Sequence, residues 1–153
     1  PRDSWVDFFR EQRLAVQLRL AADNGFGGRL QSEGARLLKR LPVYFDAEAP
    51  EASLLHGDLW GGNWASCSDG RPVVFDPAVY YGDREADLAM TELFGGFDNS
   101  FYQAYRDAWP LEPGYQIRKH LYKLYHILNH FKLFGAGYAS QAGALAEQLL
   151  CEL

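Results

Sequence analysis

Hydrophobic and aromatic residues near the start of the chain recur at helical spacing. Trp5, Phe8, Phe9, Ala15 and Val16, with Gln12 and Arg19 between them, predict an amphipathic helix over about 4–22, and Ser4 is a suitable N-cap. The run Asn24-Gly25-Phe26-Gly27-Gly28 ends it. A second helix is predicted over about 30–40, stopped by Pro42, which cannot donate to a helical ladder. After a loop with Pro50, the short apolar run Ser53-Leu54-Leu55 leads into His56-Gly57-Asp58. Two β-type runs follow, Asn63 to Cys67 and Pro72 to Asp76. Ser68-Asp69-Gly70-Arg71 separates them, and Asp-Gly is a strong hairpin signal. Beyond the hairpin the spacing predicts helices over about 84–94, 99–108, 114–134 and 138–150. In the third of these, Ile117, Leu121, Leu124, Tyr125, Leu128 and Phe131 form a stripe suited to core packing. The expected fold is mainly α with a small β-hairpin, an α+β arrangement in one domain.

Composition narrows this picture only a little. The chain has 153 residues, 48% hydrophobic and 23% charged, which is globular and large enough for a real core. No apolar run is long enough to cross a membrane, and Arg2, Asp3 and Arg10 interrupt any signal-peptide pattern. The net charge of −5 disfavours nucleic acid as a partner, because phosphate backbones attract basic surfaces. Cys67 and Cys151 match no metal spacing and no disulfide framework, so a reducing cytoplasm is the expected setting.

The polar residues around the hairpin carry the chemistry. Phosphoryl transfer needs a carboxylate to orient the attacking hydroxyl and take its proton, with divalent ions to neutralise phosphate oxygens. Magnesium takes oxygen ligands and is commonly held by one or two protein groups together with phosphates and water. Asp58 is followed five positions later by Asn63, the spacing of the kinase catalytic-loop motif H-R-D-x-x-x-x-N with Gly57 in place of arginine. Asp76-Pro77-Ala78 then occupies the place of the kinase D-F-G element. The hairpin brings Asn63 and Asp76 to the same end of two strands. Asp58 is therefore the candidate catalytic base, Asn63 and Asp76 the candidate magnesium ligands, and His56 a candidate brace for the loop. Singly, such residues are more often caps and turn formers. Their order and the hairpin between them favour the functional reading. His120, His126 and His130 form no convincing metal set, although the last two are one turn apart.

At this point the chain resembles the fructosamine kinase (ketosamine-3-kinase) family, within the aminoglycoside-phosphotransferase and choline-kinase-like fold. The resemblance rests on His56 to Asn63, on the run from Val74 through Asp76-Pro77-Ala78 and Gly82-Asp83-Arg84-Glu85-Ala86-Asp87 to Met90, and on Glu92 to Phe97. It continues through Phe101, Tyr105, Pro110-Leu111, Gly114-Tyr115, Arg118, Tyr122, Leu124-Tyr125, Leu128-Asn129-His130 and Phe134-Gly135, and includes Trp5 to Phe9 with Arg13-Leu14. It implies the C-terminal lobe of a protein-kinase-like fold. It also implies ATP- and Mg2+-dependent phosphorylation of a sugar hydroxyl on a ketosamine, either a small molecule or a glycated protein.

Further residues enter with this resemblance. Asp87 is a candidate support for the catalytic loop through its backbone amides; the alternative is charge complementarity at a helix N-terminus, which serves Asp83, Glu85 and Asp87 equally. Trp60, Trp64, Tyr80 and Tyr81 are candidate substrate contacts, or packing residues.

Such a kinase also needs an ATP-covering loop and a strand lysine paired with glutamate, and no region with these features precedes Trp5. The chain begins at Pro1 and its single methionine is Met90. The expectation is a missing N-terminal lobe, an inactive isolated chain, and an exposed lobe interface that favours a dimer. The competing readings are a kinase for an aminoglycoside- or choline-type alcohol and a non-catalytic binding module derived from a kinase.

Overall fold

The computed structural model describes residues 4–45, 50–134 and 139–152. Arg2, Asp3, Gly135 and Tyr138, and the side chains of Phe131 and Phe134, lie outside that description. The chain divides into two compact units, residues 1–50 with 120–153, and residues 51–119.

The first unit is helical. Ser4 caps the first helix through its hydroxyl, which accepts from the Asp7 amide at 3.2 Å. Helix α1 (Trp5–Phe8) runs into a π-type segment, Phe9–Leu14, and then into α2 (Ala15–Asp23). The sequence predicts one helix of regular period here, and the wider turns change its buried face. Phe9 and Leu14, five apart, are both buried and are followed by Leu18 and Ala21, whereas Gln12 and Arg19 are exposed. Helix α3 (Arg29–Arg40) ends in a 3-10 turn, Leu41–Tyr44, that contains Pro42. Helices α6 (Tyr115–Phe134) and α7 (Ala139–Cys151) complete the set, α6 beginning in the second unit.

Leu121, Leu124 and Leu128 of the predicted stripe are buried, joined by Tyr122 and Ile127. Phe9 meets the Tyr122 ring edge-on at 5.1 Å between centroids, and the Trp5 indole N–H donates to the Tyr122 hydroxyl at 3.0 Å. Tyr44 donates to the Leu149 carbonyl at 2.6 Å, and burial pushes its hydroxyl pKa up to about 12.

The second unit carries the β structure. β2 (Trp64–Ser66) and β3 (Pro72–Val74) form the predicted hairpin, with Trp64 opposite Val74. A second antiparallel pair joins β1 (Ala52–Leu55) to β4 (Tyr80–Asp83), with Leu55 opposite Tyr80 and Leu54 opposite Tyr81. The sequence does not announce this pair, because both runs are short and their partners are distant in the chain. Helix α4 (Glu85–Phe94) follows β4 directly and buries Ala86, Leu88, Ala89, Met90 and Thr91. Helix α5 (Asn99–Ala108) begins at Asp98, whose carboxylate accepts from the Phe101 amide at 3.0 Å. The described elements are therefore mainly helical with small antiparallel sheets. No described helix is long and apolar enough to cross a membrane.

Candidate active site

The loop that leaves β1 is shaped by a glycine and a carboxylate. Gly57 has φ +81°, and a Cβ there would stand 2.2 Å from the Ala78 carbonyl oxygen, so only glycine fits. The Ala78 amide in turn donates to the His56 carbonyl at 2.8 Å. Asp87, in the first turn of α4, accepts from the His56 amide at 2.7 Å through one oxygen and from the Gly57 amide at 2.9 Å through the other. Its pKa is raised above the ordinary carboxylate value by burial, which outweighs the two amide bonds.

His56 braces the same loop. Its Nδ1 accepts from the Asp58 amide at 3.3 Å, which leaves the proton on Nε2 to donate to the Phe75 carbonyl at 3.0 Å. One imidazole thus ties the residue before Asp76 to the backbone of Asp58.

Asn63 is buried at the entrance to β2. Its amide group donates to the Asp58 carbonyl at 2.8 Å and to the Asp58 carboxylate at 3.0 Å. With two acceptors facing Nδ2, the side chain has one sensible orientation, and Oδ1 is left without a partner among the described residues. The Asn63 carbonyl accepts from the Phe75 amide at 3.1 Å, extending the hairpin by one pair and placing Asp76 next in line. Asp76 is exposed with φ +52°, the one positive-φ residue other than glycine among those described. No hydrogen bond or ion pair engages its carboxylate among the described residues. The structure thus brings Asp58, Asn63 and Asp76 to one end of the hairpin. Among the described residues Asn63 Oδ1 and the Asp76 carboxylate have no hydrogen-bond partner, and such oxygen donors are of the type that suits magnesium. Among the described residues no group of three or more His, Cys, Asp and Glu side chains converges on a metal position.

A sequence profile of the fructosamine kinase family matches residues 1–152. The chain belongs to the fructosamine kinase family. It is 53% identical over 148 residues to a probable ketoamine kinase of Synechocystis, covering 97% of this chain and 49% of that protein. It is 43% identical over 146 residues to the chloroplastic protein-ribulosamine 3-kinase of Arabidopsis thaliana, covering 95% and 44%. Among solved structures, one from Thermobifida fusca, assigned by name to the fructosamine-3-kinases, superposes with a TM-score of 0.88 at 39% identity, covering 99% of this chain and 52% of that one. The chain therefore spans about half the length of the relatives it matches.

The aromatic candidates of this chain divide by geometry. Trp60 is 41% exposed, and its indole lies where a Cβ on Gly62 would be, 2.4 Å from the ring. Trp64 is already engaged: its indole N–H donates to the Gly96 carbonyl at 3.0 Å and its face stacks on Phe97 at 5.7 Å. Tyr80 shares the sheet face of Leu55 and lies against Gly57, whereas Tyr81 projects on the opposite face and is 70% exposed. The two tyrosines do not form one surface.

The three carboxylates read together at the start of α4 have three separate partners. Asp87 holds the loop, Asp83 accepts from the Glu85 amide at 2.9 Å, and Glu85 pairs with Arg118. Arg118 donates to both Glu85 oxygens, at 2.7 and 2.8 Å, and both residues are about 5% exposed. Sequence reasoning missed this ion pair, since nothing in the local pattern links positions 33 apart.

Proposed function

We propose that the protein to which this chain belongs phosphorylates a sugar hydroxyl of a ketosamine, using ATP and magnesium. The observation that carries the reading is the Asp58–Asn63 pair: the Asn63 amide group donates to the Asp58 carboxylate, and the Asn63 carbonyl accepts from the amide of Phe75, the residue before Asp76. Asp58 orients the attacking hydroxyl and takes its proton as the γ-phosphoryl group passes to the sugar oxygen and ADP leaves. Asn63 Oδ1 and Asp76 would hold magnesium, which when bound neutralises charge on the phosphate oxygens. His56 keeps Asp58 in place by accepting from its amide, and Asp87 by holding the amides of the two residues before it. Trp60, the more exposed of the two loop tryptophans, is the candidate platform for the sugar ring.

The substrate assignment is supported by the family and by the names of the relatives, ketoamine kinase and protein-ribulosamine 3-kinase. The acceptor is accordingly a small ketosamine or a glycated protein, handled in the cytoplasm. The relatives are about twice as long, and we assign the nucleotide-covering elements to the other half, so that residues 1–153 alone form a C-terminal lobe with negligible turnover.

The test is a substrate panel on the complete gene product. Fructosamines and ribulosamines should be phosphorylated with ATP and magnesium, and aminoglycosides or choline should not. Preference for amino alcohols would move the assignment elsewhere within the same fold. Absence of any transfer, with nucleotide still bound, would favour a binding module.

A further inference from the structure

Helix α4 touches the Asp58 loop at both of its own ends. Its first turn supplies Asp87, which holds the His56 and Gly57 amides on one side of Asp58. The segment leaving its C-terminus, Gly95-Gly96, holds the other side: the Gly61 amide donates to the Gly95 carbonyl at 3.1 Å, and the Trp64 indole donates to the Gly96 carbonyl at 3.0 Å. Backbone meets backbone there. A Cβ on Gly96 would stand 2.3 Å from Gly61 Cα and 2.9 Å from Gly61 N, and a Cβ on Gly61 would stand 2.9 Å from Gly96 Cα. Gly96 also has φ +95°.

We infer that Gly96 is a positioning residue for phosphoryl transfer: its bare backbone seats Gly61, so that α4 spans the loop carrying Asp58 and fixes it from both sides. The inference rests on the reading of Asp58 as the base. The loop between the two attachments, Asp58 to Trp60, is only three residues long, so a shift at Gly61 passes directly to Asp58 and to Asn63, whose amide group holds it. A methyl group at position 96 meets backbone rather than a side chain that could rotate away, so Gly61 must move. Displacements well under the size of an atom are enough to lower a phosphoryl-transfer rate, because that chemistry depends on positioning.

The experiment compares Gly96→Ala, Trp64→Phe, Asp58→Asn and a stability control, Tyr44→Phe, in the complete gene product. Turnover and KM are measured with ATP and a fructosamine, together with amide hydrogen exchange at His56, Gly57 and Gly61. Gly96→Ala should lower kcat by about tenfold or more with KM for ATP little changed. Protection of the Gly61 amide should fall while that of His56 and Gly57 stays. Trp64→Phe keeps an aromatic ring on Phe97 but loses the bond to Gly96, and should lower kcat in the same direction by less. Unchanged kcat in Gly96→Ala, or an equal fall in Tyr44→Phe at the same loss of Tm, would overturn the inference. Should Gly96→Ala fail to fold, Trp64→Phe decides alone, and unchanged kcat there overturns it. Full turnover in Asp58→Asn would instead sink the phosphoryl-transfer reading itself. Loss in Asp58→Asn with a silent Gly96→Ala would sink the inference alone.

Discussion

At the scale of single residues, the loop around Asp58 depends on features that tolerate little change. Gly57→Ala should cost roughly 2–4 kcal/mol, because the new methyl meets the Ala78 carbonyl at a backbone angle that disfavours any side chain. Urea unfolding of the variant measures it, and a loss below half a kilocalorie would show that the loop yields. Asp87 makes a different prediction. Burial raises its folded-state pKa above that of the unfolded chain, so the folded state binds the proton more tightly. Stability contributed by this group is present at low pH and is lost as pH rises through the raised value. The difference in unfolding free energy between the parent chain and Asp87→Asn should therefore shrink as pH climbs from the ordinary aspartate range toward neutrality. A difference that grows instead would mean the amide bonds outweigh burial.

At the scale of elements, the helices and the β2–β3 hairpin were legible in the sequence, for identifiable reasons. Ser4, the glycines after Asn24, Pro42 and Asp69-Gly70 are local signals that act within a few residues, and the structure uses each of them. What escaped was non-local or required phase. The β1–β4 pair needs strands separated by the whole hairpin, and the π-type turn at Phe9–Leu14 rotates a face that a regular period would place elsewhere. The Glu85–Arg118 pair belongs to the same class, and it sets an energetic test. Arg118→Leu leaves a buried carboxylate unpaired and should cost about 3–5 kcal/mol. Adding Glu85→Leu to it should recover much of that loss, because the lone charge is gone. Thermal unfolding of the two variants would show this, and a double variant no more stable than the single one would contradict it.

For the whole molecule, the family assignment and the local geometry address different questions. Similarity along nearly all of the chain gives the family and the helical architecture. The hydrogen bonds give the reason why Asp58, Asn63 and Asp76 stand where the order of the sequence suggested, and why Trp64 and Tyr81 do not share the environment of Trp60 and Tyr80. The candidate site was legible because its residues sit close together in the sequence around one hairpin. The second attachment of the loop, at Gly96, was not, since a glycine contact leaves no polar signature. Asp58, held by Asn63, is the base we propose for a ketosamine kinase. The most direct measurement is phosphate transfer from ATP to a fructosamine by the complete gene product and by its Asp58→Asn variant, followed by mass spectrometry of the sugar product. Transfer by the parent is expected, with a loss of roughly a hundredfold or more in kcat for Asp58→Asn and nucleotide binding retained. Transfer at the parent rate by Asp58→Asn would contradict it.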